Sequence, residues 1–186
     1  MKLEKILKKI ESEKPEVGIG AATAAAGIIA ASLVIKVANK SGLGEVEKES
    51  YTIKKDLKSL IKEDMKTYKK YLKAYKSGDE GKAEEYLKKA VETPMRILEQ
   101  SYRIVELAET AMDKGKKSMM LESYGAATIG KAAINSAYGI IDMNIKGLKD
   151  SKYKEAIKQR AYELRTKAKT KETHMHITLS EYIFKK

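Results

Sequence analysis

The 186-residue chain contains no cysteine and no tryptophan, a single phenylalanine, two prolines and two histidines. Without cysteine it has no disulfide, no thiolate zinc site and no cysteine nucleophile. That absence agrees with a reducing cytoplasm, where the chain is expected to reside. With so few prolines, little interrupts helix formation. No Ser/His/Asp arrangement and no phosphate-cradling glycine loop is visible, so triad and phosphate-loop chemistry have no residues to rest on. His174 and His176 would share one face of an extended tail, a spacing that can hold a metal, but no third ligand accompanies them. No metal is expected.

What is present favours helices. Charged residues make up 34% of the chain and hydrophobic ones 42%, and Ala, Lys, Glu and Leu dominate. The formal net charge is +12, and residues 151–186 hold ten Lys or Arg against four Glu. Such a balance is either a lysine-rich solvated surface or a surface for anionic partners. Nucleic acid is not the expected one: the 11 tyrosines are scattered rather than interleaved with the basic stretch, and no recognition signature accompanies it.

Two segments are almost free of charge: Val17 to Ile35, and Ser123 to Ile141 with Lys131 alone. The first is long enough to span a membrane. It is built from Ala and Gly, however, which insert poorly, and Lys36 and Lys40 follow closely. A buried core helix is therefore expected, and no membrane partner. Side chains this small let two helices, or a helix and a flat ligand, approach closely.

The spacing predicts a short amphipathic helix over 2–11 bearing Leu3, Ile6, Leu7 and Ile10, and a break from Pro15 to Gly20. A long core helix over about 18–40 follows, stopped at Ser41-Gly42-Leu43-Gly44. Next come an amphipathic helix over 45–77 and a short one over 80–92, with a restart at Thr93-Pro94 that runs to 114. The second small-residue helix covers 117–147, and a charged helix 150–170. The tail alternates from His174 to Leu179 and reads as a strand or extended arm. The expectation is an all-α antiparallel bundle: one domain over 1–172, two Ala/Gly-rich inner helices, and an arm over 173–186.

Several motifs occur in a telling order. Pro15 with Gly18-x-Gly20 at the mouth of an Ala-rich helix resembles the Pro-x-Pro-Gly-Gly-Gly-Ser start of the cyclodeaminase/methenyltetrahydrofolate cyclohydrolase family. Asp64 with Tyr68 resembles its Asp-x-x-x-aromatic pattern, and Thr93-Pro94 the proline that starts its next core helix. Gly125-Ala126-Ala127 is similar to the segment after the family's Ser-Asp pair, and Asn144 with the following Gly147 to Asp150 to its Asn-Val-x-Ile-Asn-Leu stretch. The departures are specific. Gly18-Ile19-Gly20-Ala21 has one glycine fewer and no serine, Glu122-Ser123 stands in place of Ser-Asp, and Ile140 and Lys36 replace an Asn and an apolar position.

The resemblance implies an all-helical homodimer that takes a reduced folate into a cleft beside the glycine-rich helix start. The implied reactions are release of ammonia from formiminotetrahydrofolate, or hydrolytic opening and closing of the methenyl ring, without a metal. Asp64, Glu122 and Ser123 are then the candidate catalytic residues, Asp64 first as general base or amine orienter. Gly18, Gly20, Lys36, Tyr68 and Asn144 are the candidate ligand contacts. Read without the resemblance, the glycines equally serve a tight turn, Asp64 a solvated face, Glu122 a helix N-terminus, and Lys36 a side chain reaching outward to water. A member of the family that has lost catalysis and serves as a binding or assembly module is the alternative.

Overall fold

The computed structural model describes residues 3–11 and 18–184, and every regular element in them is helical. In chain order these are α1 (Leu3–Ile10), α2 (Ile19–Ser41), α3 (Gly44–Lys76), α4 (Glu80–Lys114), α5 (Met120–Asn144) and α6 (Ser151–Phe184). Short 3-10 turns over Lys117–Met119 and Ile145–Gly147 flank α5. Pro15, part of the expected break, lies outside the described residues.

Local chemistry sets the ends. Gly42 closes α2 in the left-handed conformation (φ 71°), which leaves Leu43 N–H free to reach back to Ala38 O at 2.9 Å. Asp79 caps α4 by accepting from the Lys82 N–H at 3.0 Å, and Asp150 caps α6 by accepting from that of Tyr153 at the same distance.

The ion pairs and hydrogen bonds between helices reveal their directions. Thr23–Ser136 and Lys36–Glu122 run in opposite order along α2 and α5, as do Glu63–Arg96 and Glu49–Arg103 along α3 and α4. These pairs are therefore antiparallel. The small-residue helices α2 and α5 pack side by side, as expected, and α4 lies against both. Gly27 and Gly130 let other helices come close to this pair: a β-carbon on Gly27 would sit 2.9 Å from a Leu57 methyl of α3, and one on Gly130 3.0 Å from Val105 of α4. Leu57, Ile97, Leu98, Ile104 and Ile134 fill the centre without solvent exposure. Each contributes about 1.5–3 kcal/mol by leaving water.

Two expectations are corrected. The tail is not a strand or arm, because α6 continues through it to Phe184. Alternation gives way to helical spacing: Ala168, Glu172, Met175 and Leu179 are buried along one face against the bundle. The buried Glu172 accepts from Lys131 at 2.6 Å and from Thr128 and Tyr124 at 3.3 Å, fixing α6 to α5. Nor does the chain restart at Pro94, for α4 runs through that residue without interruption.

Candidate functional site

A cleft of about 370 Å³ opens where the start of α2 meets the second half of α3 and the end of α5. Gly18 and Gly20 form one lip, and Asp64, Thr67, Tyr68 and Tyr71 come from α3. Leu87 and Ala90 of α4 and Ile140, Met143 and Asn144 of α5 complete the wall. The α3 residues follow the i, i+3, i+4, i+7 pattern, so a single helix face presents them all. Apolar and aromatic walls with few polar groups suit a flat organic ligand.

Asp64 is the outstanding group in this cleft. It is half-buried, and among the described residues nothing donates a hydrogen bond or a positive charge to its carboxylate. Desolvation by burial raises its pKa above the ordinary 3.8. Gly20 is the reason the group fits. A β-carbon at that position would stand 2.5 Å from Asp64 Oδ2 and 2.8 Å from Oδ1, so glycine alone lets the carboxylate rest against the first turn of α2. Gly18 has no such neighbour within 4 Å among the described residues. The start of α2 carries no capping side chain and no acidic residue in its first turn, so among the described residues no cap side chain takes up its terminal N–H groups.

Across the cleft, Asn144 Nδ2 donates to the Ala90 carbonyl at 2.7 Å. Tyr68, 40% exposed, stands at the mouth. Five of the residues expected from the sequence therefore meet here: Gly18, Gly20, Asp64, Tyr68 and Asn144. Ile140, where the family motif has an asparagine, lines the same wall.

The other three do not join them within the chain. Lys36 is 16 residues beyond Gly20, about 24 Å along α2 at the helical rise. Its ammonium meets Glu122 Oε1 at 2.9 Å on the surface, 53% of the lysine side chain being exposed. The hydrogen bond from Lys36 lowers the Glu122 pKa below its ordinary 4.5. Lys36 thus reaches outward and neutralises a surface carboxylate rather than a buried one. Ser123 is fully buried, and its hydroxyl donates to Met119 O of the preceding turn at 3.3 Å. The histidines separate too: His176 packs on Tyr124, whereas His174 faces Glu109 at 3.9 Å. Positions two apart on a helix diverge, so the shared face expected of a strand is lost.

Sequence reasoning missed Met65, Thr67, Tyr71, Leu87, Ala90 and Met143. Helical spacing from Asp64 points to Thr67 and Tyr71, whereas Leu87 and Ala90 reach the cleft only because α4 folds back along α3.

The family model described as formiminotransferase-cyclodeaminase matches residues 2–163. The methenyltetrahydrofolate cyclohydrolase of Methylorubrum extorquens is 27% identical over 173 residues, spanning 82% of this chain and 83% of its own. The crystal structure of formiminotetrahydrofolate cyclodeaminase from Thermotoga maritima superposes with a TM-score of 0.90 over 98% of both chains at 24% identity, which is a likeness of fold.

Proposed function

The chain belongs to the formiminotransferase-cyclodeaminase family, and from that premise we propose that it is a folate-dependent one-carbon enzyme. Its reaction is the hydrolysis of methenyltetrahydrofolate or the cyclising deamination of formiminotetrahydrofolate. The observation that carries this reading is the partly desolvated Asp64 carboxylate, without a partner among the described residues, held against Gly20 inside an apolar cleft.

Both reactions turn on one amidine-like carbon and one proton. In hydrolysis, water adds to the methenyl carbon, Asp64 takes its proton, and one ring C–N bond opens to leave a formyl group. In deamination, a folate nitrogen attacks the formimino carbon, and Asp64 guides the proton that departs with ammonia. A carboxyl group whose pKa lies above the usual range is better matched to such transfers near neutral pH than an ordinary one. Tyr68, Tyr71, Leu87 and Met143 offer the flat pterin apolar surface. Neither proposed step calls for a metal.

The enzyme is further proposed to be a cytoplasmic, soluble homodimer that does not engage nucleic acid. Although α2 is long and apolar enough to cross a membrane, just over half of its most apolar window is buried inside the bundle. Apolar side chains left exposed or half-exposed run along this helix and its neighbour as a strip: Ala22, Ile29 and Leu33 on α2, Leu121 and Ala132 on α5. That strip carries no charge before Lys36 and Glu122, on a protein of net charge +12, which favours burial against a second copy. Ile29→Lys should shift the sedimenting species from dimer to monomer; a wild type that is already monomeric would remove the dimer.

The enzymatic reading is tested by following methenyltetrahydrofolate absorbance from both substrates. Loss of methenyl absorbance marks a cyclohydrolase, and its appearance from formiminotetrahydrofolate a cyclodeaminase. Rates no faster than spontaneous in both assays would sink the proposal in favour of a binding module.

A further inference from the structure

Proline inside a helix lacks the N–H that would bond the carbonyl four residues back. In α4 that carbonyl belongs to Ala90, a residue that lines the cleft. A carbonyl stranded in a half-buried wall without a donor is unfavourable, and here the donor comes from another helix: Asn144 Nδ2 at 2.7 Å. Asn144 occupies the last turn of α5, 54 residues away in sequence.

We propose that Pro94 is a positioning residue of the cleft, acting through the Ala90 carbonyl to fix the side-chain amide of Asn144. The logic is one of donors and acceptors. A carbonyl only accepts, so the amide nitrogen of Asn144 must face it, and the flip of that amide is decided. Oδ1 is then the acceptor that remains; none of the described residues donates to it. The cleft wall thus offers an oriented acceptor to a ligand edge that bears N–H, which selects a hydrogen-bond-donating heterocycle over one that only accepts. Any other residue at position 94 would bring a backbone N–H to Ala90 O, where it competes with Asn144 and loosens the hold on its amide. This assignment rests on the folate reading for the identity of the ligand, but the Pro94–Ala90–Asn144 linkage stands without it.

The test is Pro94→Ala in the full chain, with three readouts. Hydrogen exchange of the Asn144 side-chain amide, followed by NMR without ligand, should be slow in the wild type and fast in the variant. The melting temperature should hold or rise, since alanine is the better helix former. Affinity for methenyltetrahydrofolate should nevertheless fall about tenfold, the effect of one misaligned hydrogen bond, with KM rising more than kcat falls. A merely structural proline would move stability and binding in the same direction. Pro94→Gly restores the same N–H with different packing and should reproduce the faster exchange and weaker binding. Unchanged Asn144 exchange in both variants, or unchanged affinity in both, would overturn the proposal. If the wild type binds no reduced folate, the functional reading fails, while the exchange measurement still decides the linkage.

Discussion

The two ends of the α2–α5 pair are made of similar residues and do different things. At one end, Asp64 meets the start of α2 with no cation or donor beside it among the described residues, and burial raises its pKa. At the other, Glu122 meets Lys36 at 2.9 Å in water, and that partner lowers its pKa. Each end also has a small polar residue in a terminal turn of α5. Asn144 keeps an acceptor to which no described residue donates, while Ser123 is sealed in the core with its hydroxyl turned to its own helix. A polar group that the fold has already satisfied has little left to offer a substrate. The chemistry should therefore lie at the end where the fold leaves groups unsatisfied.

The largest effect that would break this contrast is on turnover. Asp64→Asn keeps shape and removes the proton acceptor, so the rate should drop by about 10²–10⁴, as for a lost general acid–base group. Steady-state assays on a variant shown to be folded check this; near-normal turnover would remove Asp64 from the mechanism. Gly20→Ala should come next. Its β-carbon forces the carboxylate aside, lowering the rate on the order of 10²-fold and costing about 1–3 kcal/mol in stability. Gly18→Ala, in open space, should leave both near wild type.

Acid titration sharpens the comparison because the two carboxylates carry opposite signs. The folded Asp64 pKa lies above its unfolded value, so this group favours folding below pH 3.8 and loses that contribution as pH rises through its raised pKa. Asp64→Asn should accordingly gain thermal stability over wild type as pH rises across that window. Glu122 is the reverse: its pKa is lowered, so its stabilisation is present above pH 4.5 and fades as the solution is acidified. Melting temperatures of wild type, Asp64→Asn and Glu122→Gln across the acid range should diverge in opposite directions.

The smallest effect should come from breaking the surface pair. Lys36→Met and Glu122→Gln should each cost less than about 1 kcal/mol, as exposed ion pairs do, and leave turnover alone. A large loss of turnover in Glu122→Gln would mean that this end completes a cleft on a partner chain.

Much of the site was legible because helical spacing is a local property. Gly18 and Gly20 announce a close approach at a helix start, and Asp64 and Tyr68 share a helix face whatever packs against it. The ordered motifs added Asn144. What was not legible was long-range. Glu122 and Ser123 resembled a catalytic pair by their position in the motif order, and the antiparallel run of α2 and α5 sets Glu122 beside Lys36, at the other end of α2 from the cleft. Pro94 read as a helix boundary because a missing N–H is expensive in isolation, and the donor that compensates it lies on another helix.

Composition and periodicity by themselves determined that this protein is helical, free of thiol chemistry, and built around two small-residue segments, since propensity and side-chain volume act residue by residue. Only the tertiary structure decided that the alternating tail is helical. A strand there would have left Met175 and Leu179 without a common face to bury. It also decided which carboxylate is desolvated and which is paired, because both depend on what the other helices bring within a few ångströms.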